Sequence, residues 1–166
     1  MYQLKPLSKD AVSRALEKAE RYRLLNEPAE AQSICEDVLA ADPGNQRAEV
    51  MLLLALTDQF DEGMGDRLAQ AQAVVQRLSD PYGRAYYSGI VSERRAKALN
   101  RLGGMGSNPA IHAALMEAMR RYEEAEALRP PGNDDALLRW NACARMLDNN
   151  PALAPAAEDR QELPLE

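Results

Sequence analysis

Residues that serve in catalysis and metal binding are scarce in this 166-residue chain. It holds a single histidine, His112, and two cysteines, Cys35 and Cys143. The chain therefore offers few residues from which a histidine-based metal site or a Cys–His nucleophile could be built. We expect His112 to lie near the surface of a helix and the two cysteines to be buried free thiols. The expectation that follows is a protein that is not an enzyme, with no catalytic residues, no metal site and no cofactor.

Long apolar runs are also missing. No stretch approaches the roughly 18 apolar residues that a membrane-spanning helix needs, and residues 1–8 lack the apolar segment of a signal peptide. We therefore expect a cytoplasmic protein. The net charge of −6 argues against general binding of nucleic acid. The partners that we expect are proteins or peptides, with neither nucleic acid nor membrane among them.

Aromatic residues make up only 5% of the chain, while apolar residues make up 46%, a balance that suits helices. Proline, glycine and capping residues divide the sequence into segments with helical periodicity. They predict an all-α fold of seven helices. The predicted bounds are Ser8–Leu25, Asn26–Ala41 with Asn26 as its cap, a helix following Asn45, Arg67–Ser79, Pro81–Leu102, Asn108–Leu128 and one opening at Asn133.

A pattern of small residues recurs ahead of three prolines. It reads Ala31-x3-Cys35-x7-Pro43, Ala69-x3-Ala73-x7-Pro81 and Ala118-x3-Tyr122-x7-Pro130. Together with Ala19 and Tyr22, this pattern resembles the tetratricopeptide repeat (TPR) family. Cys35 replaces the family's aromatic residue, and Ala15 and Lys18 miss its Trp and Leu. The resemblance implies an α-α superhelix of about three TPR-like helical hairpins, closed by a C-terminal capping helix.

The expected domain organisation is a TPR-like helical-repeat domain over residues 1–149, followed by an extended acidic tail with prolines over residues 150–166. A generic antiparallel helix bundle is the alternative to the repeat fold. The family's carboxylate clamp for heat-shock chaperones needs a Lys and an Asn on the first helix. Leu16 and Glu20 stand at those positions, so we do not expect that clamp.

Predicted helix 5 carries a cationic stretch in an acidic protein. Residues 81–102 hold five basic side chains and one acidic side chain, Glu93. On a helix, one face gathers tyrosines, an isoleucine and several cations. The resemblance places part of this face on the concave groove. The predicted partner-binding groove therefore consists of Tyr82, Tyr86, Ile90, Arg94, Lys97 and Arg101.

These observations favour a scaffold or adaptor that binds a partner in the groove of its solenoid. The expected partner is acidic with apolar anchors, and the chain's own segment Glu158–Glu166, with Leu163 and Leu165, fits that description. Alternatives are a secretion-type TPR chaperone and a small-ligand sensor or enzyme between the hairpins. The sensor or enzyme would need a buried polar cluster, which the sequence does not predict. Self-association through exposed hairpin faces is a further alternative.

Overall fold

The computed structural model describes residues 2–104 and 106–154, and over these residues the protein is all-helical. The fold-class prediction of seven helices is confirmed within these ranges. The helices are α1 (Val12–Leu24), α2 (Pro28–Ala41), α3 (Gln46–Asp58), α4 (Met64–Arg77), α5 (Pro81–Leu102), α6 (Asn108–Leu128) and α7 (Asp135–Asp148). Short 3-10 turns cover Lys9–Ala11, Phe60–Glu62 and Pro151–Leu153.

Each helix packs against the next one along the chain, so the molecule is a stack of antiparallel hairpins. The odd-numbered helices also contact one another, α1 with α3 and α3 with α5. The even-numbered helices make at most marginal contact with each other. The odd-numbered helices therefore lie nearer to one another than the even-numbered helices do, and we call their side of the molecule the odd-helix face.

The first hairpin turns at Asn26, which has a left-handed φ of 61°. The Glu27 N–H donates to the Tyr22 carbonyl, which is the 6→1 hydrogen bond of a Schellman motif at the end of a helix. Asn26 therefore ends α1, and the prediction that it caps the second helix is wrong. Pro28 instead supplies a first residue with a helical φ for α2.

The small-residue pattern is buried in two of its three copies. Ala31 and Cys35 in α2, and Ala118 and Tyr122 in α6, are all excluded from solvent. Ala69 and Ala73 in α4 are exposed, which contradicts their predicted place in the repeat. The buried residues of α4 are instead Ala71, Val74 and Val75. The reason is that α4 ends at Arg77, earlier relative to its proline than α2 or α6 does, so that Ala71 has the place relative to the helix end that Cys35 and Tyr122 have.

The packing of α5 and α6 is the most extensive contact between helices in the described part of the chain. It depends on Gly89, where a Cβ atom would lie 2.4 Å from Cε1 of Tyr122. The ring of Tyr122, itself fully buried, occupies the space that any larger residue at position 89 would need. Both helices begin and end as predicted, α5 at Pro81 and Leu102 and α6 at Asn108 and Leu128.

The chain continues to pack after α7. The 3-10 turn Pro151–Leu153 contacts α6 and α7, Leu153 is 5% exposed, and Asn108 Nδ2 donates to the Ala152 carbonyl at 2.9 Å. This differs from the expected extended tail beginning at Asn150, since the packed chain reaches at least Leu153. Residues 155–166, the rest of that predicted tail, lie outside the described residues.

Candidate functional site

A network of charged side chains crosses the odd-helix face, and one part of it centres on Asp58 at the end of α3. Arg23 Nε of α1 donates to Asp58 Oδ2 at 2.7 Å, and Arg94 Nη1 of α5 donates to Asp58 Oδ1 at 2.5 Å. The same Arg94 nitrogen also donates to the Leu54 carbonyl and to Thr57 Oγ1. One carboxylate therefore ties three helices together and is shared by two guanidinium groups.

A second part of the network is built around Glu93 of α5, whose side chain is 1% exposed. Its Oε2 accepts a hydrogen bond from the Tyr122 hydroxyl at 2.6 Å. Its Oε1 accepts from Lys97 Nζ at 2.5 Å and from Arg139 Nη1 of α7 at 3.3 Å. Burial alone raises the pKa of a carboxyl group, but the hydrogen bonds donated by Lys97 and Tyr122 outweigh it, and the pKa of Glu93 lies below its ordinary value.

This cluster corrects the expectation that the chain holds no buried polar cluster. In the sequence Glu93 stands out only as the single acidic residue of a cationic helix, whereas in the structure α6 and α7 cover it. Among the described residues, every buried side-chain nitrogen and oxygen has a hydrogen-bond partner. The cluster is therefore satisfied by the protein itself, and it does not require a small ligand to complete it.

A third part of the network joins the end of α5 to the turn after α3. Arg101 donates to both oxygens of Asp61, from Nε at 2.7 Å and from Nη2 at 2.9 Å. Between these ion pairs lies a pocket of about 230 Å³. Its lining residues are Thr57, Asp58, Glu93, Arg94, Lys97, Arg101 and Arg139, and we call it the α3–α5–α7 pocket.

The charges of this network do not balance. Its five cations are Arg23, Arg94, Lys97, Arg101 and Arg139, and its three carboxylates are Asp58, Asp61 and Glu93. Asp58 and Glu93 each serve two cations, whereas Arg101 has Asp61 as its partner. The surplus positive charge therefore belongs to the groups around Asp58 and Glu93, both of which line the pocket. Partly buried charges are screened less by salt than exposed ones, so this surplus attracts anions.

The structure brings together three of the six residues predicted for the groove. Arg94, Lys97 and Arg101 line the α3–α5–α7 pocket, and the side chains of Lys97 and Arg101 are 41% and 57% exposed. Ile90 is 2% exposed and belongs to the core. It offers no surface to a partner, so the prediction that Ile90 lines an accessible groove is contradicted.

The two predicted tyrosines lie on the N-terminal half of α5 and do not line this pocket. Tyr82 and Tyr86 stack with their ring centroids 5.7 Å apart, and Tyr86 also contacts the Tyr122 ring. The Tyr82 hydroxyl donates to Asn133 Oδ1 at 3.3 Å. Both side chains are half-buried, and these contacts hold α5 against α6 and the start of α7.

Sequence reasoning missed Arg23 and Arg139, which come from α1 and α7. A helical pattern shows which residues of one helix share a face, but not which residues of distant helices meet across it. One cation among the several on α1, or of the two on α7, is not distinctive by itself. The signal available was the positive charge of residues 81–149 as a whole, which hold ten basic and eight acidic side chains.

A larger cleft, of about 580 Å³, lies on the opposite layer between α4, α5 and α6. Its cations are already committed, because Arg84 donates to the carbonyls of Leu78 and Ser79. Arg121 pairs with Glu117 and Glu124. This cleft has no comparable surplus of charge, so the α3–α5–α7 pocket is the better candidate site.

Cys35 and Cys143 are both buried free thiols. Burial raises the pKa of both the Cys35 and the Cys143 thiol to about 12, so neither is an ionised thiolate near neutral pH. Within residues 2–104 and 106–154, no group of three or more His, Cys, Asp or Glu residues is arranged to hold a metal ion. Over the same ranges, no helix combines the length and apolar character needed to cross a membrane.

Comparison with protein-family models, with curated proteins and with solved structures finds no match for this chain. The class that the fold defines is an all-α protein of stacked helical hairpins with a cationic pocket on its odd-helix face.

Proposed function

We propose that the protein is a TPR-like interaction scaffold whose partner docks an acidic segment in the α3–α5–α7 pocket. The observation that carries this proposal is the imbalance of five cations over three carboxylates in a network that spans α1, α3, α5 and α7. A bound carboxylate beside Lys97 and Arg139 would provide a second acceptor for two cations that now share one oxygen of Glu93.

Exposed apolar side chains at the ends of α1 and α5 would suit a partner with apolar anchors. Leu24 and Leu102 are 82% and 57% exposed. Large exposed apolar groups are typical of surfaces that bind proteins. We assign no reaction to the site and no cofactor, and we place the protein in the cytoplasm as part of the same proposal.

The experiment compares two double variants in capture of proteins from the native host. Lys97→Gln with Arg101→Gln removes two cations from the pocket without placing a new carboxylate beside Glu93. Arg120→Gln with Arg121→Gln is the matched control, since both arginines lie on α6 in ion pairs with Glu117 and Glu124. We expect proteins that the wild type and the control capture to be lost from the pocket variant, and to be released by added salt.

Capture of the same proteins at the same strength by the pocket variant would place the partner site elsewhere. Circular dichroism of all three proteins shows whether each variant keeps its helical content. If the pocket variant loses helix, the single variant Arg101→Gln, at the more exposed of the two positions, provides the comparison.

A further inference from the structure

We infer that residues 155–166 of the chain itself occupy the α3–α5–α7 pocket until a partner displaces them. The inference rests on the proposed function, because it names an internal ligand for the same site. Three observations lead to it: the position at which the described chain ends, the distance that the following residues can span, and the complementary charges of segment and pocket.

The last described residues lie near the end of α5 that carries Lys97 and Arg101. Asn108 begins α6 and donates to the Ala152 carbonyl, while Arg101 lies at the end of α5, the antiparallel neighbour of α6. Because the start of α6 and the end of α5 meet at one end of this hairpin, the chain passes position 152 close to the end that carries Lys97 and Arg101. Burial of Leu153 against α6 and α7 holds it there.

The remaining residues are numerous enough to reach the pocket. Twelve residues follow Ala154, and an extended chain of that length spans up to about 40 Å at roughly 3.3–3.6 Å per residue. Arg139 lies about 14 Å back along α7 from Asp148, at about 1.5 Å per residue of helix. The segment can therefore run from Ala154 past Arg101 and Lys97 to Arg139.

The charges of the segment and the pocket are opposite. Residues 155–166 hold four carboxylates, Glu158, Asp159, Glu162 and Glu166, and one cation, Arg160. The charge network of the odd-helix face has two more cations than carboxylates. Leu163 and Leu165 provide apolar groups that can lie beside exposed Leu102. A tethered segment also acts at a high effective concentration, so weak individual contacts suffice to fill the pocket.

The test uses the full chain with a spin label at Gln161→Cys. Because Cys35 and Cys143 are buried, the introduced thiol is the one that reacts readily with the label. We expect paramagnetic broadening of backbone amide signals in residues 94–101 and 136–143, with little effect in α4. The broadening should weaken in high salt. It should also weaken when Arg101→Gln and Arg139→Gln are combined, but not in the Arg120→Gln, Arg121→Gln control.

Two results would overturn the inference. One is the absence of selective broadening in the full chain. The other is broadening centred on the exposed outer face of α7 at Leu138, which would place the segment on a different surface.

A companion titration separates this inference from the proposed function. The chain truncated after Ala154 is titrated with two labelled synthetic peptides, residues 155–166 and a scrambled version of them. We expect both to bind with a salt-dependent affinity, the native order more tightly, and the truncated chain to bind the scrambled probe several-fold more tightly than the full chain does. If the scrambled probe binds both chains equally and broadening is absent, the pocket remains a site for acidic segments and the internal ligand is excluded. If neither peptide binds the truncated chain, recognition of acidic segments fails as well.

Discussion

At the scale of single residues, Glu93 links three helices through atoms that are almost entirely buried. Its two oxygens receive hydrogen bonds from α5, α6 and α7. A buried carboxylate is stabilised only if such donors compensate for the lost hydration. Here they do so with one neutral and two charged donors, and burial together with Glu93 raises the pKa of the Tyr122 hydroxyl, which stays a donor near neutral pH.

The lowered pKa of Glu93 gives its contribution to stability a definite pH dependence. Because the folded pKa lies below the unfolded value, the stabilisation is complete above about pH 4.5 and is lost as the pH falls through the folded pKa. Glu93→Gln is expected to cost about 1–3 kcal/mol near pH 7, and the difference from wild type should shrink as the pH falls below about 4.5.

Urea melts over this pH range provide the measurement. Glu20→Gln serves as the control, since Glu20 is paired with Arg47 in an exposed contact at 3.6 Å and should contribute only about 0–1 kcal/mol. A constant difference between wild type and Glu93→Gln at every pH would contradict the assigned role.

Gly89 sets the separation of α5 and α6 at a single point. Gly89→Ala adds a Cβ atom 2.4 Å from the Tyr122 ring, which forces the ring or the helices to move. We expect a loss of about 1–3 kcal/mol by overpacking. Gly65→Ala is the matched control, because its Cβ atom would meet nothing within 4 Å. Thermal or urea denaturation of both variants tests this, and equal stabilities would show that the close approach is readily relieved.

At the scale of helices and hairpins, the recurring alanines differ in what they contact. Ala118 is excluded from solvent, whereas Ala69, at the corresponding position of the sequence pattern, is exposed. Ala118→Leu is therefore expected to destabilise the fold by about 1–3 kcal/mol. Ala69→Leu should change stability by no more than about 0.5 kcal/mol. Denaturant melts decide the matter, and a similar cost at both positions would contradict the structural register of α4.

The helix bounds that the sequence predicted well are those marked by proline and glycine. Pro81 and Gly103 bracket α5, and Pro109 together with Pro130 brackets α6. The register of α4 could not be predicted in this way. Alanine is so frequent here that a spacing of four residues fits more than one alignment, and only contact with neighbouring helices selects Ala71.

The candidate site was predictable only as far as it belongs to one helix. The spacing of Arg94, Lys97 and Arg101 placed them on a common face of α5, and the structure does bring them to one pocket. The spacing could not show how much of the surface of α5 is covered by neighbouring helices. Because α3, α4 and α6 all contact this helix, Ile90 and Glu93 are buried although they lie next to accessible cations.

At the scale of the whole molecule, the packed chain extends beyond α7. Leu153 lies against α6 and α7, and Asn108 holds the Ala152 carbonyl. Truncation after Asn149 removes both contacts and is expected to cost about 1.5–3 kcal/mol, the value of burying one leucine. Truncation after Ala154 keeps both. Urea denaturation of the two truncated chains at equal salt compares them directly, and identical midpoints would show that the turn adds nothing to stability.

Because α5 is packed unevenly, we expect the contact between α4 and α5 to separate first when the molecule is pulled apart. This helix lies closely against α6 but makes less contact with α4, and the ion pairs Arg94–Asp58 and Arg101–Asp61 cross that seam. Partly exposed ion pairs of this kind resist separation less than closely packed apolar side chains do. Under a pulling force applied at positions 2 and 154, the protein should open there, as two blocks comprising α1–α4 and α5–α7. Amide hydrogen exchange should likewise report two cooperative units with different opening free energies. This boundary between the two blocks borders the α3–α5–α7 pocket. A ligand in the pocket that contacts both blocks would therefore raise the force needed to separate them.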